Sequence, residues 1–310
     1  MSGVKIIKIK EDDDGIRLNK WFLREYPALS ISRLQKLLRT KQIKVDGKKA
    51  EAGTHLYFGQ ELRIPPLDNE KATDDKKIIN KSDENYITSM VIYKDENIIA
   101  INKPSGLAVQ GGTNTSRHID GLLEALKFEY AEKPKLVHRI DKDTSGLLIL
   151  ARNRKYADIL TKAFREHTLQ KTYIALVRGY PDKREGEIKL PLEKVGEKME
   201  VVSGGKKAIT TYKLLDNIGK KYSLISASPL TGRTHQIRSH LENIGIPILG
   251  DNKYYGKERI RLKDVSDKLY LHSYKIDLSF VYGKKLILKA DLPKHFIEAC
   301  KFLGLEFSEK

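Results

Sequence analysis

Near the start of the chain, apolar positions fall twice on helical spacing. Leu18, Trp21 and Phe22 share one face of a first helix, which Pro27 closes off. Ser32 followed three residues later by Gln35 is a capping-box pattern opening a second helix. On that helix Ile31, Leu34, Leu37 and Leu38 are expected to face inward, while Arg33, Lys36 and Arg39 repeat every three residues on another face. Ile43 to Lys48 predicts a strand entering an Asp46-Gly47 turn, and Glu61 to Ile64 a further strand stopped by Pro65-Pro66. From Leu67 to Thr88 the pattern lapses into Asp, Lys and Asn without an apolar period, which predicts a flexible linker.

Periodicity then returns and changes kind. Val91 to Ile101 predicts two strands around a polar turn, followed by an irregular loop at Asn102-Lys103-Pro104-Ser105-Gly106. Ile119, Leu122, Leu123, Leu126 and Tyr130 mark an amphipathic helix, and Tyr156, Ile159, Leu160 and Ala163 another. Strands are expected at 146–151, 171–177, 208–215, 222–228 and 285–290. A short helix is expected around Ile237, Leu241 and Ile244, and a closing one after Pro293. Strands outnumber helices without regular alternation, so the expected class is α+β, with a module at 1–66, a linker at 67–88 and a larger domain at 89–310.

Charge adds a partner to this outline. Lys and Arg number 58 against 41 acidic residues, a net charge of +17, which suits a protein that neutralises phosphates. A basic helix stripe is often only a solvated face. In the first module, however, Arg33, Lys36 and Arg39 sit beside Lys41, Lys44, Lys48 and Lys49, a concentration that favours RNA contact. Cys300 is the only cysteine, so no intramolecular disulfide or thiolate zinc cluster is expected. The first residues carry no apolar signal core, and no run approaches the roughly 18 apolar residues of a membrane helix, so the expectation is a cytoplasmic protein without membrane contact.

Two clusters carry candidate chemistry. His138-Arg139-Ile140-Asp141-Lys142-Asp143-Thr144-Ser145-Gly146 crowds charges into a loop that feeds the apolar run Leu147 to Ala151. A carboxylate there is anchored by rigid sheet, as a reacting group requires, although Asp141 or Asp143 would also serve as a turn cap balancing Arg139 and Lys142. The second cluster, Thr231-Gly232-Arg233-Thr234-His235-Gln236-Ile237-Arg238-Ser239-His240, places two arginines, two histidines and a glutamine at the start of a helix, where anions are favoured. Gly111-Gly112 and Gly204-Gly205 lack a P-loop or dinucleotide fingerprint. No hydrolytic metal spacing exists, and Ser145 lacks a nucleophile-elbow context, so no cofactor and no metal are expected.

Residues 15–65 resemble the S4 domain, a small RNA-binding module. The loop at 138–146, the segment Gly232 to Arg238, the segment Lys171-Thr172-Tyr173-Ile174-Ala175-Leu176-Val177 and the opening Asn102 to Gly106 together resemble the RluA family of pseudouridine synthases, with Ile140 where that family carries leucine. The resemblance implies a pseudouridine synthase fold with a mixed, mainly antiparallel central sheet, and isomerisation of RNA uridines. It implies that Asp141 is the catalytic aspartate. Tyr173 would stack on the target base or take a proton from C5, and Arg238 would pair with the aspartate. Arg139, Arg233, His235, Gln236 and Lys103, with Arg33, Lys36, Arg39 and Lys41 of the small module, are the expected RNA contacts. Gly111-Gly112 and the S4-like module resemble the branch that modifies 23S ribosomal RNA, with Gln110 where that branch usually has histidine. The expected partner is that RNA or a large-subunit assembly intermediate, bound by a monomer.

Overall fold

A computed structural model describes residues 3–27, 29–67, 79–111, 117–255 and 265–308. They divide into two compact units, parted between Ile78 and Ile79.

The smaller unit contains β1 (Lys5–Lys8), α1 (Leu18–Glu25), α2 (Ile31–Arg39), β2 (Lys44–Val45), β3 (Lys48–Lys49) and β4 (Glu61–Ile64). Its sheet runs β1-β4-β2-β3 and is antiparallel at each pairing. Leu18, Trp21, Phe22, Leu34, Leu37 and Leu38 close over Ile43, Leu56, Leu62 and Ile64 to form its core. Asp46 and Gly47 both take positive φ, 48° and 74°, which the two-residue β2–β3 turn requires and which explains the Asp-Gly pair. Two local expectations need correction. Ser30, not Ser32, caps α2, accepting a hydrogen bond from the Arg33 N–H. Starting the helix there turns Ile31 out to solvent, 62% exposed, rather than into the core.

The larger unit opens with α3 (Lys81–Thr88), which corrects the second half of the expected linker. Asn80 caps this helix through its side chain, and Ile87 is fully buried. Residues 68–78 of that linker lie outside the described residues. There follow β5 (Val91–Lys94), β6 (Ile98–Lys103), α4 (Ile119–Leu122), β7 (Lys135–Leu136), β8 (Ser145–Ala151), α5 (Arg154–Arg165), β9 (Gln170–Arg178) and β10 (Glu185–Lys189). Next come β11 (Leu192–Val195), β12 (Lys198–Val201), β13 (Ile209–Ile218), β14 (Tyr222–Pro229), α6 (Gln236–Asn243), β15 (Leu271–Asp277), α7 (Ser279–Tyr282), β16 (Ile287–Lys289) and α8 (Lys294–Leu303). The helix expected through Tyr130 stops early, with a 3₁₀ turn at Leu123–Leu126, yet its leucines are buried as expected.

Among the described residues one ten-stranded sheet organises this unit in the order β10-β13-β14-β9-β15-β8-β6-β5, with β16 beside β15 and β7 beside β8. Every pairing is antiparallel except β15 with β8. The class is therefore α+β with a mixed, mainly antiparallel sheet. β8 is buried along its whole length: Leu148 and Leu150 pack towards α3 and α4, while Leu147, Ile149 and Ala151 pack towards α5. That double burial explains its unbroken apolar run. Gly146 adopts φ of +107°, and a Cβ there would stand 2.3 Å from the Ser273 carbonyl oxygen, so the parallel β8–β15 approach demands glycine.

Candidate active site

The loop before β8 is fastened from both sides. Lys103, at the end of β6 and fully buried, donates its ammonium hydrogens to the carbonyls of Pro104, Leu107 and Lys142 at 3.0, 2.8 and 2.9 Å. The Ser105 hydroxyl donates to the Asp143 carbonyl at 2.7 Å, and the Gly106 N–H to that of Lys142 at 2.9 Å. The Asn-Lys-Pro-Ser-Gly segment is thus a clamp on the Asp141 loop. Lys103 is an internal staple rather than the RNA contact expected of it. Burial draws its ammonium down to about 7, while the charges of Asp143 and Asp141 act upward.

His138 fastens the other side. Its Nε2 accepts the Ile149 N–H at 2.8 Å, and its ring stacks on Phe164 at 3.9 Å. Burial, with Lys171 nearby, pushes the imidazole down to about 3, so at neutral pH it is the uncharged acceptor that this bond needs.

Asp141 projects from this loop into a cavity of about 510 Å³ whose walls include Arg139, Lys171, Tyr173, Arg233, His235 and Arg238. Among the described residues no backbone N–H bonds its carboxylate, so Asp141 does not cap a turn. Its ionic neighbours are Arg238 at 3.6 Å and His235 at 3.9 Å, both measured to Oδ2. Asp143, by contrast, is exposed.

Arg238 reaches that position from α6 because a second carboxylate holds it. Its Nε and one terminal nitrogen form a fork with Asp251 at 2.7 and 2.8 Å, and Asp251 also accepts the N–H groups of Lys253 and Tyr254. Both partners are buried. Desolvation opposes the charge on each, yet the fork and the backbone donors outweigh it, lowering Asp251 and raising Arg238. Arg238 therefore pairs more tightly with Asp251 than with Asp141. Asp251 escaped the sequence reading, although an acid directly after Ile246 to Gly250, in an apolar run, was the available signal.

Tyr173, on β9, lines the same cavity, and burial together with the Asp141 charge pushes its phenol up to about 12. Arg233 faces the cavity with its Nε bonded to the Lys207 carbonyl, and Arg139 is exposed at the rim. Gln236, expected as an RNA contact, lines the cavity with its amide committed within the fold. It is buried, donating to the Ile209 carbonyl and Thr210 hydroxyl, and accepting from the Thr231 hydroxyl and Arg233 N–H. Ile244 ends α6 at 37% exposure instead of joining the core. In the smaller unit Arg33, Lys36, Arg39 and Lys41 are all exposed and form no ion pair with any described carboxylate. Gly112, half of the Gly111-Gly112 pair, lies outside the described residues.

A carboxylate, a phenol and cations surround a cavity large enough for a nucleoside, and the fold has solved counterparts. The human RNA Pseudouridylate Synthase Domain Containing 4 structure superposes with a TM-score of 0.63 at 27% identity, covering 73% of this chain and 97% of that one. Human RNA Pseudouridylate Synthase Domain Containing 1 shares the fold, with a TM-score of 0.54 at 23% identity, covering 69% of this chain and 86% of that one. Residues 97–243 match the RNA pseudouridylate synthase family. The ribosomal large subunit pseudouridine synthase C of Rickettsia bellii is 41% identical, over 90% of this chain and 95% of its own length. Its Vibrio cholerae namesake is 34% identical, over 96% of each. The chain belongs to the RluA family of RNA pseudouridine synthases and is accordingly an isomerase.

Proposed function

We propose that the enzyme converts uridines of 23S ribosomal RNA, bare or within a large-subunit assembly intermediate, to pseudouridine, with Asp141 as catalytic carboxylate. The observation that carries the reading is the placement of Asp141: rigidly based, its carboxylate bonded by no backbone N–H among the described residues, and facing a cavity beside Arg238 and Tyr173. The resemblance of nearly the whole chain to large-subunit enzymes supports the RNA class.

The target uridine leaves its stack and enters the cavity. The N1–C1′ bond breaks, the uracil turns, C5 bonds to C1′, and the C5 proton leaves as N1 gains one. Asp141 acts on the sugar, as nucleophile at C1′ or as base at a sugar C–H, with the Arg238 charge beside it throughout. Tyr173 enters as a neutral phenol whose ring suits stacking under the base. The smaller unit, through Arg33, Lys36, Arg39 and Lys41, holds RNA phosphates outside the cavity, the role of an S4 domain.

The test is to incubate the monomeric enzyme, in separate reactions, with 23S, 16S and transfer RNA transcripts carrying tritium at uridine C5. Tritium release on 23S RNA without free uracil is expected. Release confined to the other RNAs would overturn the substrate assignment, and free uracil would identify a glycosylase instead.

A further inference from the structure

One polar chain behind Asp141 is not used by the chemistry above. Tyr254 is buried, and its phenol oxygen accepts the Met199 N–H of β12 at 2.7 Å. The same oxygen lies 3.0 Å from His235 Nδ1. Among the described residues the Tyr254 hydroxyl hydrogen has no other acceptor, so it is donated to Nδ1. A neutral His235 then carries its hydrogen on Nε2, the nitrogen that faces Asp141 Oδ2 at 3.9 Å. His235 also holds a left-handed backbone, φ of 51°, directly before α6, a conformation that histidine tolerates better than most side chains. Asp251 sets the whole arrangement: it forks Arg238 and bonds the Tyr254 N–H, so one buried carboxylate places both donors that converge on Asp141.

We propose that Tyr254 and His235 form a positioning relay that fixes the Nε2–H tautomer of His235 and aims that hydrogen at the Asp141 carboxylate, steering it towards the sugar. The inference rests on the assignment of Asp141 above. It changes the role of His235 from an RNA contact to an orienting donor, and it adds Tyr254 to the site.

The groups facing His235 are Asp141, Arg238, Lys253, Asp251 and Tyr254, and burial lowers its basicity, so the imidazole is neutral at neutral pH. Protonation would put a second hydrogen on Nδ1, against the Tyr254 O–H, and turn the neutral Nε2–H contact into a second cation beside Asp141, weakening the carboxylate as nucleophile or base. Removing the Tyr254 hydroxyl eases that protonation.

Three variants of the full chain test the relay, assayed by single-turnover tritium release with RNA affinity measured in parallel. His235→Ala is expected to slow the rate at saturating RNA roughly 10- to 100-fold, as expected when a reacting carboxylate is no longer held in orientation, with affinity nearly unchanged. His235→Gln, which keeps an N–H near the Nε2 position, is expected to recover most of that rate. Tyr254→Phe is expected to move the acid limb of the rate profile upward by about one pH unit. A His235→Ala enzyme that turns over normally at saturating RNA but binds it weakly would overturn the relay, as would a Tyr254→Phe profile identical to the parent's. Asp141→Asn separates the two readings: if it is inactive while His235→Ala is normal, the relay alone fails, and if it is active, the assignment of Asp141 fails.

Discussion

The two units use the same cations for opposite purposes. In the smaller one, Arg33, Lys36, Arg39 and Lys41 stand in solvent without a carboxylate partner among the described residues. In the larger one, Lys103 and Arg238 are buried to 0% and 3% exposure, and their donors are committed to loop carbonyls and to Asp251. An exposed cation keeps its hydration until a phosphate replaces it. A buried one must be fully bonded within the fold and then becomes part of the scaffold. Net charge therefore indicates an RNA partner but not which cations meet it.

The comparison breaks first at Arg238. Arg238→Met leaves Asp251 buried and unpaired, and is expected to cost about 3–5 kcal/mol of stability in urea unfolding followed by a probe in the larger unit. Next is Lys103→Met, which strips the Pro104 and Leu107 carbonyls of their donor and leaves that of Lys142 with the Gly106 N–H alone. A loss of about 1–3 kcal/mol is expected, together with slower turnover as the Asp141 loop loosens. A loss of RNA affinity alone would restore Lys103 as a surface contact.

Acid distinguishes the units through two buried histidines. His138 and His272, both in the larger unit, are pushed by burial from 6.5 to about 3 and about 4. Their folded forms refuse protons that the unfolded chain accepts. The linked stability is fully present above pH 6.5 and is lost as pH falls through 6.5 towards those values. The larger unit is expected to unfold first on acidification, and replacing His138 by Gln should flatten the dependence.

Smallest in stability is the combined Arg33→Ala, Lys36→Ala and Arg39→Ala variant. It should leave unfolding within about 0.5 kcal/mol of the parent for each exposed site. RNA affinity should fall, with the salt slope reduced by roughly 2, since each phosphate contact contributes about 0.7–0.9. The rate at saturating RNA should hold.

Much of this was legible in the sequence. Apolar period located most of the helices, and the double-sided burial of β8 showed as an unbroken run behind Asp141. The central strand β15 was not legible, because its buried His272 and Ser273 interrupt the apolar pattern that marks a core strand. Asp251 and Tyr254 were missed because their importance lies in bonds to residues 13 and 19 positions earlier. Lys103 was misread for the same reason: it looks like an exposed polar group until its partners are placed.

The central claim rests on one carboxylate. Full-length Asp141→Asn should fold with parental stability, bind 23S RNA as the parent does, and release no tritium from C5-labelled uridine in a single-turnover assay. Tritium release near the parental rate from that folded, RNA-bound variant would contradict the account.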